Sequence, residues 1–335
     1  STPCGTLFPY TTLFRSRAES ATICNGMPMR ALEVQSLTKH YGSAVGVDGV
    51  TFAVERGEIF GYLGPNGSGK TTTIRCAMGL LKPTSGRVQV FGREVRAGRA
   101  TCHTRIGYLP GEFRIWPWLK ARRSLSVLAA LGNGDGTKKR REVLAERLDL
   151  DLDRRVRELS KGNRQKVGVV YALQHEPEVL ILDEPTIGLD PLIRQTVLDL
   201  IREAAEDGAT VLLSSHDLSE VAAVCARAAI LRQGRLVELA PISKIVQQGQ
   251  RRLKVWFTDS AALPQVPLDR LRAVRVVERK PGMLHVAYQG QCDALLKWLA
   301  QFHVERITTP ETSLEDAFIQ YYRRPSASGP ERGER

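Results

Sequence analysis

Short apolar stretches alternate with longer segments of helical character along most of the chain. Two of the apolar stretches, Val179–Leu182 and Val211–Leu213, contain no polar residue, which is typical of parallel strands buried on both faces of a sheet. The alternation predicts an α/β fold in which helices cover a sheet. Strands are expected at Thr51–Val54, Ile59–Leu63, Val88–Phe91, Val179–Leu182, Val211–Ser214 and Ala229–Arg232, and helices at Thr71–Leu81, Arg140–Leu148, Lys161–Gln174, Ile193–Glu206 and Ser219–Ala226.

The pattern changes near Ile242–Gln250, where a smaller α+β domain is predicted over residues 247–324. Its last helix is expected to begin with a capping box, formed either by Ser313 with Asp316 or by Thr312 with Glu315. The polar segment 325–335 is rich in Pro and Gly and is expected to be disordered. The elements expected between these limits are strands at Arg252–Phe257, Leu271–Val277, Met283–Tyr288 and Val304–Ile307, and helices at Cys292–Phe302 and Ser313–Tyr322.

The first residues follow neither a helical nor a strand period. Thr6–Ser16, TLFPYTTLFRS, resembles the translation of a DNA-sequencing adapter. We therefore expect residues 1–26 to be a non-native leader and exclude them from the fold prediction. A signal peptide is the alternative, although Pro9 interrupts its apolar stretch. The larger domain is then expected over residues 27–246.

Composition limits the function without deciding it. The 335 residues carry a net charge of +12, and basic residues are concentrated between Lys120 and Lys166. Such a surface could face nucleic acid, an anionic membrane or only water. No apolar run is long enough to cross a bilayer, so a membrane role would need a partner. The cysteines show no CxxC spacing and are expected to be reduced thiols in a cytosolic protein.

The segment Gly64–Thr71, GPNGSGKT, matches the phosphate-loop pattern GxxxxGK[ST] and lies between a strand and a helix. Glycines allow backbone N–H groups to turn toward phosphate oxygens, and the helix N-terminus adds positive potential. Lys70 can reach the β- and γ-phosphates, and the Thr71 hydroxyl can bind Mg²⁺. A glycine-rich turn that only caps the helix is the alternative. The candidate nucleotide-binding residues here are Gly64, Asn66, Gly67, Ser68, Gly69, Lys70, Thr71 and Thr72.

Two carboxylates follow the apolar strand Val179–Leu182. At the carboxyl edge of an α/β sheet, Asp183 and Glu184 would face the ligand crevice. Asp183 is the candidate Mg²⁺ ligand, and Glu184 is placed to orient or deprotonate the attacking water. An acidic pair after a strand can also be simply a helix start.

A further motif, LSKGNRQ at Leu159–Gln165, resembles the signature of the ABC ATPases, and its position before the acidic strand fits that family. Gly188–Asp190 resembles the family's D-loop, His216 its switch histidine and Tyr41 its adenine-stacking aromatic residue. The resemblance covers roughly residues 30–240. It implies a P-loop NTPase of ABC type, with a helical subdomain over about 112–175, that binds ATP with Mg²⁺.

The resemblance also implies an active site shared between two ATPase subunits, in a homo- or heterodimer. Ser160 and Gly162 of one subunit would meet the γ-phosphate held by the other, and His216 would contact that phosphate. From the residues alone, Ser160 is a helix N-cap, His216 an ordinary histidine at the end of a strand and Tyr41 a packing residue. One position departs from the family, because Gly111, followed by Glu112, stands where a glutamine is usual.

The resemblance implies an ATPase subunit that powers a transporter through a membrane-spanning permease on another chain. The segment Thr312–Tyr322 is similar to the tail of ABC-2-type exporter subunits, which favours export. We expect the chain to lie peripherally on the cytoplasmic face of the membrane and to bind no nucleic acid. The predicted docking segment is Glu112–Leu119, EFRIWPWL, because loops rarely carry so many large apolar groups without burying them; packing inside the helical subdomain is the alternative.

A soluble ABC ATPase acting on ribosomes or nucleic acid is the alternative function. Ribosomal types usually carry two ATPase domains in one chain, whereas this sequence has one phosphate loop and one signature. DNA-repair types contain long coiled coils, and no sustained heptads occur here. A third candidate function is a nucleic-acid-binding domain built on the basic stretch. It is disfavoured because no aromatic residues are interleaved with the basic ones.

Overall fold

The computed structural model describes residues 30–98, 105–131, 137–247, 251–258, 266, 271, 274–288 and 292–309. The predicted leader, the helix expected at Ser313–Tyr322 and the predicted disordered tail lie outside the described residues. The chain forms two compact units, one within Ser1–His216 and Glu220–Leu239 and the other within Asp217–Ser219 and Ala240–Arg335. The domain boundary expected after residue 246 stays a prediction.

Up to residue 247, the described chain alternates strands and helices. The strands are β1 (Arg30–Tyr41), β2 (Ala44–Glu55), β3 (Ile59–Leu63), β4 (Ser85–Val90), β5 (Arg93–Glu94), β6 (Ile106–Leu109), β7 (Val179–Asp183), β8 (Thr210–Ser215), β9 (Arg227–Arg232) and β10 (Arg235–Pro241). The helices are α1 (Lys70–Ala77), α2 (Ala121–Leu131), α3 (Thr137–Arg147), α4 (Lys161–Leu173), α5 (Pro191–Glu206), α6 (Leu218–Val224) and α7 (Ile242–Gln247).

The central sheet has the strand order β10-β9-β3-β8-β7-β6. Its strands β9, β3, β8, β7 and β6 run parallel. Every residue of β3, β7 and β8 is buried, which confirms for β7 and β8 the expectation drawn from their apolar runs. Because parallel strands end at the same edge, the segments after Leu63, Asp183 and Ser215 meet there.

A second sheet, with the order β2-β1-β4-β5, is antiparallel and packs on the same core. Phe52 of β2 stacks on Phe60 of β3 with ring centroids 5.4 Å apart. The sequence pattern does not predict β1, because register shifts between Val34 and Leu37 and again near Lys39 interrupt the two-residue alternation of a regular strand.

Helices α2, α3 and α4 all lie between residues 112 and 175, and α4 packs against β6, α2 and α3. They fall in the segment expected to be a helical subdomain, whose limits stay a prediction. Helix α2 is not among the helices expected from the sequence pattern. Helix α1 ends at Ala77, four residues before the predicted end at Leu81, since Gly79 has a φ of 66°.

The second unit contains an antiparallel sheet with the order β12-β13-β11-β14, one face of which packs on helix α8. Leu295 and Leu299 of that helix lie in one cluster with Val255 and Val286, as expected for a small α+β fold. Its elements are β11 (Arg251–Phe257), β12 (Val274–Lys280), β13 (Met283–Tyr288), α8 (Asp293–Leu299) and β14 (Val304–Thr308). Within the described ranges of the chain, no helix is both long enough and apolar enough to cross a membrane.

Candidate active site

The phosphate loop connects β3 to α1 and depends on glycines at two positions. Gly67 and Gly69 have φ angles of 80° and 106°, which residues with a Cβ rarely adopt. At Gly69 an added Cβ would also lie 2.5 Å from the carbonyl oxygen of Gly46. These conformations turn the loop onto the N-terminus of α1, where backbone N–H groups and helix polarity favour an anion.

Lys70 is the first residue of α1, and its side chain is only 6% exposed. Its ammonium lies 3.2 Å from Glu184 Oε1 and donates hydrogen bonds to the carbonyl oxygens of Gly64 and Pro65. The Ser68 hydroxyl is also buried and has no hydrogen-bond partner in the described structure. Because buried polar groups are normally satisfied, a cation and an unpaired hydroxyl in this loop fit a bound phosphate.

Asp183, at the end of β7, is fully buried and accepts two hydrogen bonds. The Thr71 hydroxyl donates to its Oδ2 over 2.7 Å, and the Ser214 hydroxyl donates to its Oδ1 over 2.8 Å. Among the described residues, no three His, Cys, Asp or Glu side chains converge on one point. The Thr71 hydroxyl and the Asp183 carboxylate suit Mg²⁺, because this ion usually binds through only one or two carboxylates together with substrate phosphates.

Glu184 and His216 are in direct contact. The Nδ1 atom of His216 lies 2.6 Å from Glu184 Oε2, while Glu184 Oε1 faces Lys70. The backbone of Glu184 has a φ of 53°, an unfavourable conformation for a residue with a Cβ that often occurs at functional sites. The structure thus brings together three predicted residues, Lys70, Glu184 and His216, at the sheet edge.

Two buried polar side chains that are not among the predicted site residues support the segment after Glu184. The Gln165 amide of α4 donates to the carbonyl oxygens of Glu184 and Pro185. Glu220 of α6 accepts hydrogen bonds from the hydroxyls of Thr186 and Ser215. Gln165 is the last residue of the signature-like segment Leu159–Gln165, but the resemblance gives it no role of its own, and Glu220 looks like a solvated first-turn carboxylate.

The signature segment lies against the D-loop. Ser160 is the N-cap of α4, and its hydroxyl accepts a hydrogen bond from Asn163 N over 3.1 Å. A Cβ at Gly162 would lie 2.8 Å from the carbonyl oxygen of Gly188, so only glycine fits without displacement. Asp190 is the N-cap of α5, and the hydrogen bond from Ile193 N lowers the pKa of its carboxyl. The N-cap residues of α4 and α5, Ser160 and Asp190, are therefore both exposed to solvent.

Tyr41 lies at the end of β1, beside α1. Its ring is 48% exposed and lies 5.4 Å from the Lys39 ammonium. The Tyr41 hydroxyl approaches Thr72 Oγ1 at 3.5 Å, and Asn66 is exposed in the adjacent loop. An open aromatic face near the phosphate loop suits stacking on a base, and adenine stacking stays a prediction.

Gly111, where the family usually has a glutamine, lies beside Asp183. A Cβ added at Gly111 would lie 3.4 Å from Asp183 Oδ2. The neighbouring Glu112 is exposed, and its carboxylate pairs with Arg114 at 2.7 Å. In this structure Glu112 therefore does not take the place of the missing amide. Burial, and secondarily the charge of Asp183, raises the pKa of the nearby Tyr108 to about 12.

Comparison with known proteins agrees with this geometry. Residues 47–187 match the family model described as ABC transporter. The chain is 32% identical over 295 residues to the bacitracin transport ATP-binding protein BcrA of Bacillus licheniformis, covering 86% of this chain and 96% of that protein. The chain belongs to the ATP-binding proteins of ABC transporters.

A second relative of this ABC ATPase is the Nod factor export ATP-binding protein I of Paraburkholderia xenovorans (strain LB400). The two are 35% identical over 243 residues, which is 71% of this chain and 80% of the relative. The dimeric structure of a bacterial ABC transporter cassette matches with a TM-score of 0.58 at 24% identity, covering 63% of this chain and 98% of the cassette. That similarity shows that the two share a fold.

Proposed function

We propose that this ABC ATPase hydrolyses ATP at the edge of the central sheet and that hydrolysis powers an exporter through a membrane-spanning partner on another chain. One observation carries the proposal for hydrolysis. The carboxylate of Glu184, which lies in a strained turn, contacts both the Lys70 ammonium of the phosphate loop and the His216 ring.

Each of the three side chains has a distinct task. Phosphate binding would draw the Lys70 ammonium toward the anion and away from Glu184 Oε1. That oxygen could then accept a proton from the attacking water, as expected of a general base. His216 orients the carboxylate through its contact with Oε2 and is exposed enough to meet a phosphate as well. Mg²⁺, when bound near Thr71 and Asp183, would neutralise charge on the phosphate oxygens.

The Mg²⁺ dependence of ATP hydrolysis tests the assignment of Asp183 to the metal site. Asp183→Asn keeps the shape of the side chain but removes its negative charge and replaces one of its two oxygens with an NH₂ group, which cannot bind Mg²⁺. We expect the purified variant to need a higher Mg²⁺ concentration for half-maximal ATP hydrolysis. Asp217→Asn, which changes the half-buried carboxylate next to His216 in the chain, is the matched control. Identical Mg²⁺ dependence in Asp183→Asn and wild type would remove Asp183 from the metal site.

A pair of subunits is proposed because the signature and the phosphate loop make separate contacts within one chain. Gly162 approaches Gly188, whereas Lys70 contacts Glu184. The structurally similar cassette is dimeric. The capped N-terminus at Ser160 is exposed and therefore open to a nucleotide held by a second subunit.

Export rather than import is supported by what the relatives are named for, since one is a Nod factor export protein. The bacitracin transport protein supports a transporter, and neither name points to the ribosomal alternative. Because transport needs a pathway across the bilayer, the proposal places that pathway on a separate permease and this chain peripherally on its cytoplasmic side.

The proposed docking segment is Glu112–Leu119. Trp118 is 63% exposed, whereas Phe113 stacks on Tyr171 with centroids 5.7 Å apart. Phe113 therefore packs inside the subunit, whereas Trp118 leaves a large apolar side chain in solvent. Such an exposed aromatic side chain is expected where a partner protein covers it. The basic stretch nearby would add an attraction to anionic lipid that salt weakens.

Docking is tested by expressing the chain with and without a candidate permease. Trp116→Ala combined with Trp118→Ala should release the chain from permease-containing membranes and leave ATP binding intact. Phe113→Ala is the control for packing, because it should lower stability instead. Undiminished membrane binding of a folded double variant would show that this segment is not the docking site.

A further inference from the structure

The turn that carries Glu184 is held by a side chain from the signature helix. Gln165 of α4 is 6% exposed. Its Nε2 atom lies 3.0 Å from the carbonyl oxygen of Glu184 and 3.1 Å from that of Pro185. Only the amide nitrogen can face two carbonyl oxygens, since the amide oxygen has no proton to donate. The chemistry of the contact therefore fixes the orientation of the amide.

The Gln165 side chain contacts the backbone at a strained position. Glu184 has a φ of 53°, and such conformations persist only when surrounding contacts hold them. The Glu184 N–H donates to Ser214 O over 3.0 Å, and Ile187 N donates to Glu184 O over 3.3 Å. Gln165 adds two buried hydrogen bonds from a different element, so the turn is fixed from the helical side as well as from β8.

We infer that Gln165 is a positioning residue that keeps the Glu184 carboxylate in its hydrolytic position and links that position to the start of α4. The inference rests on the proposed role of Glu184. Ser160, the N-cap of the same helix, is expected to meet the nucleotide of the second subunit. Because Gln165 lies less than two helical turns from Ser160, a displacement of that N-terminus would be transmitted to the Glu184 turn.

The test replaces two buried glutamines, one within α4 and one at its C-terminal end. Gln165→Met keeps the length of the side chain but removes both donated hydrogen bonds. Gln174→Met is the matched control, because Gln174 is 2% exposed and donates to Leu125 O over 3.4 Å, away from Glu184. In the purified full-length chain we expect kcat to fall about 10- to 100-fold for Gln165→Met, with KM for ATP within about threefold, as for a small misplacement of a catalytic group. Gln174→Met should keep kcat within about threefold.

A double substitution separates positioning from a general structural effect. If Gln165 acts through Glu184, adding Gln165→Met to Glu184→Gln should slow hydrolysis no further than Glu184→Gln alone. Should Gln165→Met fail to fold, Gln165→Glu differs by a single side-chain atom and carries the same expectation. Wild-type kcat in a folded Gln165 variant, or equal losses at positions 165 and 174, would overturn the inference. So would a loss of folding in both Gln165 variants, since the contact would then be structural.

The same measurements keep this inference distinct from the proposed function. Wild-type hydrolysis by Glu184→Gln would show that Glu184 is not the base, whatever the Gln165 variants do. Slow hydrolysis by Glu184→Gln together with wild-type kcat in folded Gln165→Met would contradict the positioning role alone.

Discussion

Gly111 is a single residue that affects how the proposed Mg²⁺ site at Asp183 can be completed. Gly111 leaves room beside Asp183, and an added Cβ would make an ordinary contact at 3.4 Å with Oδ2. We expect Gly111→Gln to fold with a free energy of unfolding within about 1 kcal/mol of wild type. We also expect it to need less Mg²⁺ for half-maximal hydrolysis, since the amide adds a neutral oxygen ligand. Unchanged Mg²⁺ dependence would show that position 111 does not reach the metal.

His175 gives the fold a specific pH dependence. Its Nε2 lies 3.3 Å from Ile106 O, and burial lowers its pKa from 6.5. The unfolded chain therefore binds a proton at pH values where the folded chain does not. The stabilisation is complete above the unfolded pKa and is lost as the pH falls through 6.5 toward the lower folded value.

This linkage can be measured by urea unfolding. Between about pH 7.5 and about pH 5.5, wild type should lose more free energy of unfolding than His175→Gln, which cannot titrate. Parallel pH profiles for the two proteins would show that His175 does not titrate differently in the folded and unfolded chain.

The sequence predicts the residues of the site more completely than their supports. Lys70, Asp183, Glu184 and His216 belong to motifs with fixed spacing, and β3, β7 and β8 bring them to one edge. Gln165 and Glu220 contact the same turn from α4 and α6. Gln165 ends the signature-like segment, yet no local pattern shows that either residue supports this turn. Their role depends on contacts between residues that are distant in the sequence, such as Thr186 and Glu220. The periodicity of apolar residues within one element cannot predict such contacts.

Among the elements, continuous apolar strands are predicted well and irregular ones are not. The buried strands β7 and β8 each contain an uninterrupted apolar run, Val179–Leu182 and Val211–Leu213, and their limits are close to those expected. The bulged β1 does not keep a clear period, and α2 is not among the expected helices. The strand expected at Leu271–Val277 is displaced, because β12 runs from Val274 to Lys280 with a register shift between Val276 and Glu278.

The connection between β7, β8, α5 and α6 depends on the buried carboxylate of Glu220. It accepts hydrogen bonds from Thr186 at 2.7 Å and Ser215 at 2.9 Å and lies 3.5 Å from Arg194 Nε. Glu220→Ala should lower the free energy of unfolding by about 1–3 kcal/mol, since buried polar partners lose their acceptor. Glu220→Gln should cost less, because its amide oxygen still accepts.

Denaturant unfolding checks this expectation, with Glu206→Ala as an exposed control on α5. The control should change stability by no more than about 0.5 kcal/mol. If Glu220→Ala were as stable as the control, the buried network would not contribute to holding these elements together.

At the scale of the whole molecule, the proposed assembly places each active site between two subunits. Lys70→Ala damages the phosphate loop, and Ser160→Arg damages the signature. In a mixed dimer of a homodimeric protein, one site would carry both changes and the other none. Mixing the two inactive variants should therefore restore part of the ATPase activity.

Chains carrying Lys70→Ala and Ser160→Arg together provide the control, because mixing them with either single variant leaves no intact site. An equally inactive mixture of the two single variants, despite exchange of subunits, would contradict a shared site in a homodimer.

The central claim is that Glu184 activates water for ATP hydrolysis at this sheet edge. Its most direct test compares ATP binding and steady-state hydrolysis in wild type, Glu184→Gln and Lys70→Ala. Glu184→Gln should bind ATP as wild type does and hydrolyse it about 10²–10⁴ times more slowly, since it keeps the shape of the side chain but loses the base. Lys70→Ala should weaken ATP binding itself. Hydrolysis by Glu184→Gln at a rate close to that of wild type would contradict the claim.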